Sequence, residues 1–408
     1  MKRYKELFQF PNVWVLVLSA FPARVAYGMV GLGIFFKVEQ ELNSIAVAGL
    51  AVGINGLAGA ATAGIRGMVI DRFGMKWPLR IQVPGYVTML LVLNSASDKS
   101  LLLILAFILG LTAPPINLSV RPLWRDAVSD DWLRTAYAVD TAVMSAAGVL
   151  GPIIVTGLAL SAHPESALIF VAGAMALGGG SLAMTKIARN WIPEKKPEIK
   201  VALWRHKPLQ ILVVEGCFIG FGWGIFDVAV PAFATIEEVP HRTAWVFTAL
   251  GLANIVGGLL AGLVSKSTTP LGALRKTYIA WFVVSLPLAI TYPGWSMVIG
   301  GAFLGLVGGA LQVFYWEVME AVRPQGSPTG AMGWLWSIEG LFLSLGAALG
   351  GWISEEFSPQ IALSITTVCI SFGLLVLNLG SGRLSAANKL PTDEEDLAAM
   401  KDNAPTNQ

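Results

Sequence analysis

The stretch Gly67-Met68-Val69-Ile70-Asp71-Arg72-Phe73-Gly74-Met75-Lys76 closes one long apolar run and opens another. Upstream, residues 44–69 carry a single charge, Arg66; downstream, residues 81–96 carry none. About 20 apolar residues are what a helix needs to cross a bilayer. Charges gathered between two such runs therefore mark a loop at a membrane face. Within that loop Gly67 admits a close helix neighbour, Gly74 permits a tight turn, and Asp71 can cap a helix N-terminus or pair across an interface.

Working outward, similar runs fall at residues 12–36, 44–69, 78–96, 100–123, 136–160, 165–187, 208–235, 243–265, 274–292, 295–319, 329–353 and 359–380. The expected fold is an all-α polytopic membrane protein with twelve transmembrane helices. The first run lacks a small-residue cleavage site and carries Arg24, so it reads as a retained helix and not a signal peptide. Composition agrees, with 55% hydrophobic and 13% charged residues, where a soluble domain carries about a quarter charged. That balance excludes a soluble enzyme and a disordered chain. A net charge of +2 leaves no basic face for nucleic acid. The ~10-residue alternating segments of a membrane β-barrel are absent. Two cysteines, Cys217 and Cys369, each inside an apolar run, predict no disulfide and no metal centre.

Charge position sets the orientation. Twenty-three Lys and Arg fall on the side that carries both termini and three, Lys37, Lys99 and Arg242, on the other. The positive-inside rule then places both termini in the cytoplasm. The longest interhelical loop, with Pro193, Glu194, Lys195, Lys196 and Pro197, lies on that side near mid-chain. The expected division is residues 1–187 as an N-terminal six-helix bundle, 188–207 as a cytoplasmic linker, 208–380 as a C-terminal six-helix bundle, and 381–408 as a polar cytoplasmic tail.

The two halves echo one another. Gly33-Ile34-Phe35 recurs as Gly224-Ile225-Phe226, an offset that lays Arg24 on Glu215. In the fourth and tenth runs Gly110-Leu111 matches Gly305-Leu306, and Asn117 falls on Gln312; in the fifth and eleventh, Gly151-Pro152 matches Gly350-Gly351, and Asp140 falls on Glu339. Parallel repeats of this kind relate the bundles by a pseudo-two-fold axis and place the substrate path between them.

The Gly67 to Lys76 pattern, Gly-x-x-x-Asp-Arg-x-Gly-x-Lys at a helix end, resembles the signature loop of the major facilitator superfamily. With twelve runs, two halves and a central loop, the resemblance covers nearly the whole chain. It implies secondary active transport by alternating access, and a gating cluster of Gly67, Asp71, Arg72, Gly74 and Lys76 with Asp126, the partner expected for Arg72. Gly148-Val149-Leu150-Gly151-Pro152 in the fifth run is similar to the family's antiporter motif, which uses small residues and Pro to make a thin, kinked helix that rocks against its neighbour. At the depth of the family's usual fourth-helix Arg, this chain instead has Ala113-Pro114-Pro115-Ile116-Asn117.

Each charge inside hydrocarbon costs ~3 kcal/mol on insertion scales, so those that remain point to function. Arg24, Asp140, Glu215, Asp227 and Glu339 lie within runs and are candidates for proton coupling or charge networks. An Arg24–Glu215 pair or shared network is expected, or failing that Arg24 with Asp140. Arg66 and Glu317, nearer the cytoplasmic ends, are expected to snorkel. Tyr27, Asn117, Trp223, Gln312, Trp316 and Trp336 are expected to line an apolar aromatic cavity with a few hydrogen-bonding groups, with Asn55 and Asn254 beside them. Trp14, Trp77, Trp124, Trp132, Trp191, Trp204 and Trp352 are assigned to interfacial belts.

The expected function is proton-coupled efflux of small amphiphilic molecules from a bacterial cytoplasmic membrane by a monomer. Import of a small metabolite is the alternative, and a non-transporting receptor or scaffold a remote one. The partners are a small-molecule substrate, protons and lipid, without nucleic acid. Enzymatic activity and cofactors are not expected: His163, His206 and His241 lie in loops, and no Gly-Lys-Ser/Thr phosphate loop is present.

Overall fold

A computed structural model describes residues 2–191, 205–261, 269–322 and 328–388. The core of the expected linker, residues 192–204, and the tail from 389 lie outside the described residues, as do Trp204 and the side chains of Asp71 and Arg72. The described chain is helical throughout, without strands.

The first half contains a short α1 (Lys2–Leu7), then α2 (Pro11–Leu42), α3 (Ile45–Phe73), α4 (Lys76–Ser95), α5 (Lys99–Thr112), α6 (Ile116–Ala127), α7 (Asp130–Ala159), α8 (Ser166–Met184) and the single turn α9 (Lys186–Asn190). The second contains α10 (Lys207–Ile236), α11 (Arg242–Ala261), α12 (Pro270–Ser285), α13 (Trp295–Val322), α14 (Pro328–Glu356) and α15 (Pro359–Leu379). Ten of these helices are long and apolar enough to cross a membrane. With α4 and the α5–α6 pair they make twelve crossings in two six-helix bundles.

Local chemistry accounts for the boundaries. Pro11 opens α2 at a position where its missing N–H costs nothing, and Asn43, at φ 48°, ends it in the left-handed conformation that Asn tolerates. Ser44 then caps α3 by accepting the Val47 N–H. At the other end of α3, Gly74 adopts φ +73°, a region open to glycine, which turns the chain into α4.

The expected fourth crossing, residues 100–123, is discontinuous. Pro114 and Pro115 carry no N–H, so α5 stops at Thr112 and α6 restarts at Ile116. In α6 the residues Ile116, Val120, Leu123, Trp124 and Ala127 recur at helical spacing and are all buried. This overturns the interfacial assignment of Trp124, which is 1% exposed. Trp14, Trp77 and Trp352 are about half exposed, at 49%, 59% and 47%.

Buried apolar side chains form two clusters. One draws on residues 7–188 with Val228, Ala232 and Ala347; the other runs from Leu209 to Ala387. The halves meet where α3 packs along α14 and α7 against α11. They pack closely near the start of α3, at the face opposite the termini. A Cβ on Gly49 would lie 2.8 Å from the Gly351 Cα and 2.9 Å from the Ala347 carbonyl oxygen. Helices this close must present glycine to one another. At the same face, Ser44 Oγ lies 3.1 Å from Glu355 Oε2 and donates to that carboxylate, which also accepts the Ala46 N–H.

Candidate functional site

In the N-terminal bundle α2 brings Arg24 to its buried side. Its Nη2 donates to Asp140 Oδ1 of α7 at 2.7 Å, and its Nε donates to Asn117 Oδ1 of α6 at 3.2 Å. Both side chains of the ion pair are 3% exposed. The expected Arg24–Glu215 pair is absent, and the alternative partner, Asp140, is the one found. Helix packing explains the choice: α2 and α7 belong to one bundle and touch along their lengths, with Gly151 of α7 against the Gly28 backbone of α2. Pro152 follows in the same helix, while Gly148 meets no neighbour within 4 Å of where a Cβ would stand.

Side chains reach backbone carbonyls at and beside the break between α5 and α6. Tyr27 donates its hydroxyl to the Pro114 carbonyl, and Arg66 donates through Nη1 to the Ala113 carbonyl and through Nη2 to the Gly59 carbonyl. Arg66 thus turns into the bundle and does not snorkel. Tyr27, Arg66, Ala113, Pro114 and Asn117 line a cavity of about 170 Å³. Asn55, expected beside the cavity, instead donates to the Ala106 carbonyl at 3.0 Å and ties α3 to α5.

In the C-terminal bundle Glu215 is 3% exposed and accepts the Tyr278 hydroxyl at 2.7 Å. Tyr315 and Glu339 lie within electrostatic reach of the same carboxyl. Glu339 sits on α14 where it crosses α10; a Cβ on Gly220 would be 2.3 Å from the Glu339 carbonyl oxygen. The two positions that the repeat lays on Arg24 and Asp140 are therefore held at a matching helix crossing. In the first half the crossing holds a cation and an acid; in the second it holds two acids. Neither Glu215 nor Glu339 has a cationic partner among the described residues.

The remaining candidates separate. Asp227 is exposed on α10, and no described ion pair includes it. Trp316 and Trp336 meet edge to face at 5.7 Å, joining α13 to α14, whereas Trp223 packs on Phe226 and Trp281 at 5.2 and 5.8 Å inside the bundle. Gln312 and Glu317 are exposed on α13. Of the residues expected to form a gating cluster, Gly74 makes the turn into α4, Lys76 stands 5.3 Å from the Trp77 ring, and Asp126 is exposed near the end of α6. The surroundings of Gly67 and the expected Arg72–Asp126 pair lie outside the described residues.

Tyr278 and the Ser44–Glu355 contact were missed from sequence. For Glu355, a carboxylate at the end of an apolar run was the available signal.

Two six-helix bundles with ionisable groups held inside them define a multi-pass membrane transporter. A profile of the Major Facilitator Superfamily matches residues 16–338, and the chain belongs to that family. It is 24% identical over 396 residues to an uncharacterized MFS-type transporter, y4rN, from Sinorhizobium fredii (strain NBRC 101917 / NGR234), spanning 91% of this chain and 96% of that one. Among solved structures it is similar to the nucleoside transporter NupG, with TM-score 0.70 and 13% identity over 91% of this chain and 99% of that one. It is also similar to a peptide transporter, POT, in complex with sulfate, with TM-score 0.70 and 13% identity over 92% and 95% of the two chains. These likenesses establish the fold.

Proposed function

We propose that this transporter expels small amphiphilic molecules from a bacterial cytoplasmic membrane in exchange for protons. Residues 1–187 and 208–380 rock about a central site, joined by the 188–207 linker, with a cytoplasmic tail from 381. The excess of Lys and Arg on the face that carries the termini supports a cytoplasmic position for that face. In this orientation the close contact of Gly49 with Gly351 seals the outer side.

The observation that carries proton coupling is the acid pair Glu215 and Glu339, which the repeat sets where the other half has Arg24 and Asp140. Two carboxyls without a cation repel when both are ionised, so a proton is the counter-charge that such a site recruits. Tyr278 holds Glu215 in place, and Glu339 belongs to α14, a helix that packs on both halves. A proton exchanged there can bias how the halves meet. Trp316 and Trp336 offer aromatic surface to the apolar part of a substrate. Export over import is supported by Gly151 of α7, followed by Pro152, packed on the Gly28 backbone of α2.

Expression in a susceptible host tests the direction. Export raises tolerance to a toxic amphiphile and a protonophore abolishes the gain. Cellular accumulation of the compound would indicate import instead.

A further inference from the structure

Two arginines lie by the α5–α6 break, of which Arg66 lines the cavity, and their electrostatic situations differ. Arg24 is matched by Asp140, with Asn117 between it and the cavity wall. Arg66 faces only neutral acceptors, the carbonyls of Ala113 and Gly59. Its Nε is buried with no hydrogen-bond partner, and no carboxylate pairs with it among the described residues. The groups that act on it electrostatically are two neutral phenols, Tyr27 and Tyr86. Among the described residues, one positive charge therefore stands uncompensated at this cavity.

A guanidinium inside a membrane bundle without a counter-ion is costly, and such residues pair or mark a ligand path. If Arg66 served only to occupy the Ala113 and Gly59 carbonyls, a neutral donor would do so without that cost. A guanidinium adds a fork of donors matched to oxyanions. The cavity volume of about 170 Å³ is below the ~300–1,000 Å³ of a complete drug-sized site. It suits the head of a molecule whose body extends elsewhere.

We propose that the Arg66 cavity is an oxyanion subsite, and that the transported molecule is an amphiphilic anion whose carboxylate, phosphate or sulfonate head docks against Arg66. This rests on the transporter reading above and narrows its substrate class. Asn117, tied to the Arg24–Asp140 pair, forms part of the same wall, so a bound head would also touch the network that joins α2, α6 and α7.

The test measures binding apart from transport. Purified protein in phosphatidylcholine nanodiscs, free of anionic lipid, is titrated with benzoate, phenyl phosphate and benzenesulfonate, and with neutral benzamide and benzyl alcohol. At least one anion is expected to raise the thermal midpoint by several degrees, saturably, while the neutral compounds do not. Arg66→Gln should abolish the anion-specific rise, and Arg66→Lys, which keeps the charge and loses the fork, should weaken it at least tenfold. The proposal is overturned if no anion stabilises the protein, if benzamide matches benzoate, or if the titration is unchanged in Arg66→Lys, which remains informative should Arg66→Gln fail to fold. Proton-coupled transport of uncharged molecules alone would overturn the subsite and leave the transporter reading intact. Anion binding without movement of any solute would do the reverse.

Discussion

Glu355, in the last turn of α14, accepts the hydroxyl of Ser44 at 3.1 Å. It accepts the Ala46 N–H as well, so the N-terminus of α3 in one half is completed by a carboxylate from the other. Free N–H groups at a helix start favour negative charge. The contact closes only when the two halves meet at the face opposite the termini, and rocking that parts them there must break it.

At this exposed end the carboxylate contact stabilises the closed arrangement by about 1–1.5 kcal/mol, a five- to tenfold bias at ~1.4 kcal/mol per decade. Glu355→Ala should shift the population by that factor toward conformers open at this face. Spin labels at His163 and Tyr292, one on each half, would read it as a gain in the long-distance component. An unchanged distance distribution would remove Glu355 from the gate.

Gly49 gives a steric counterpart. A methyl group there meets the backbone of Gly351 and Ala347 below 3.0 Å, with no flexible side chain to yield. Gly49→Ala should therefore wedge the same face open and slow transport several-fold at unchanged expression. The same label pair checks it, and normal transport with a closed-face distance distribution would contradict it.

The Arg24–Asp140 pair is a stability element that reaches the cavity wall only through Asn117. Both partners are almost fully buried, so removing one leaves a bare charge and should cost about 3–5 kcal/mol. Asp140→Asn should lower the thermal midpoint in detergent more than the double variant Arg24→Gln/Asp140→Asn does. A loss in the double variant equal to the sum of the two single-variant losses would mean the pair is uncoupled.

Much of the fold is legible along the chain because membrane helices announce themselves. The twelve apolar runs, the turn at Gly74 and the repeat that lays Arg24 on Glu215 all depend on local pattern. Partner choice depends on which helices share a bundle, and that is why Arg24 meets Asp140. The inward turn of Arg66 goes with its bonds to the Ala113 carbonyl at the break and to the Gly59 carbonyl of α3, which length and hydropathy do not reveal. Trp124 was misassigned because an aromatic residue beside charges looks interfacial until the buried face of α6 is traced. Ser44 and Glu355, 311 residues apart, show no local sign of their contact.

The proposed proton exchange at Glu215 and Glu339 is tested most directly in proteoliposomes loaded with a pH-sensitive dye at acidic lumenal pH. Cargo supplied outside should enter as protons leave, so the lumen turns alkaline in step with uptake; Glu215→Gln with Glu339→Gln should abolish that response. Cargo movement with unchanged lumenal pH, or an intact dye response in the double variant, would contradict it.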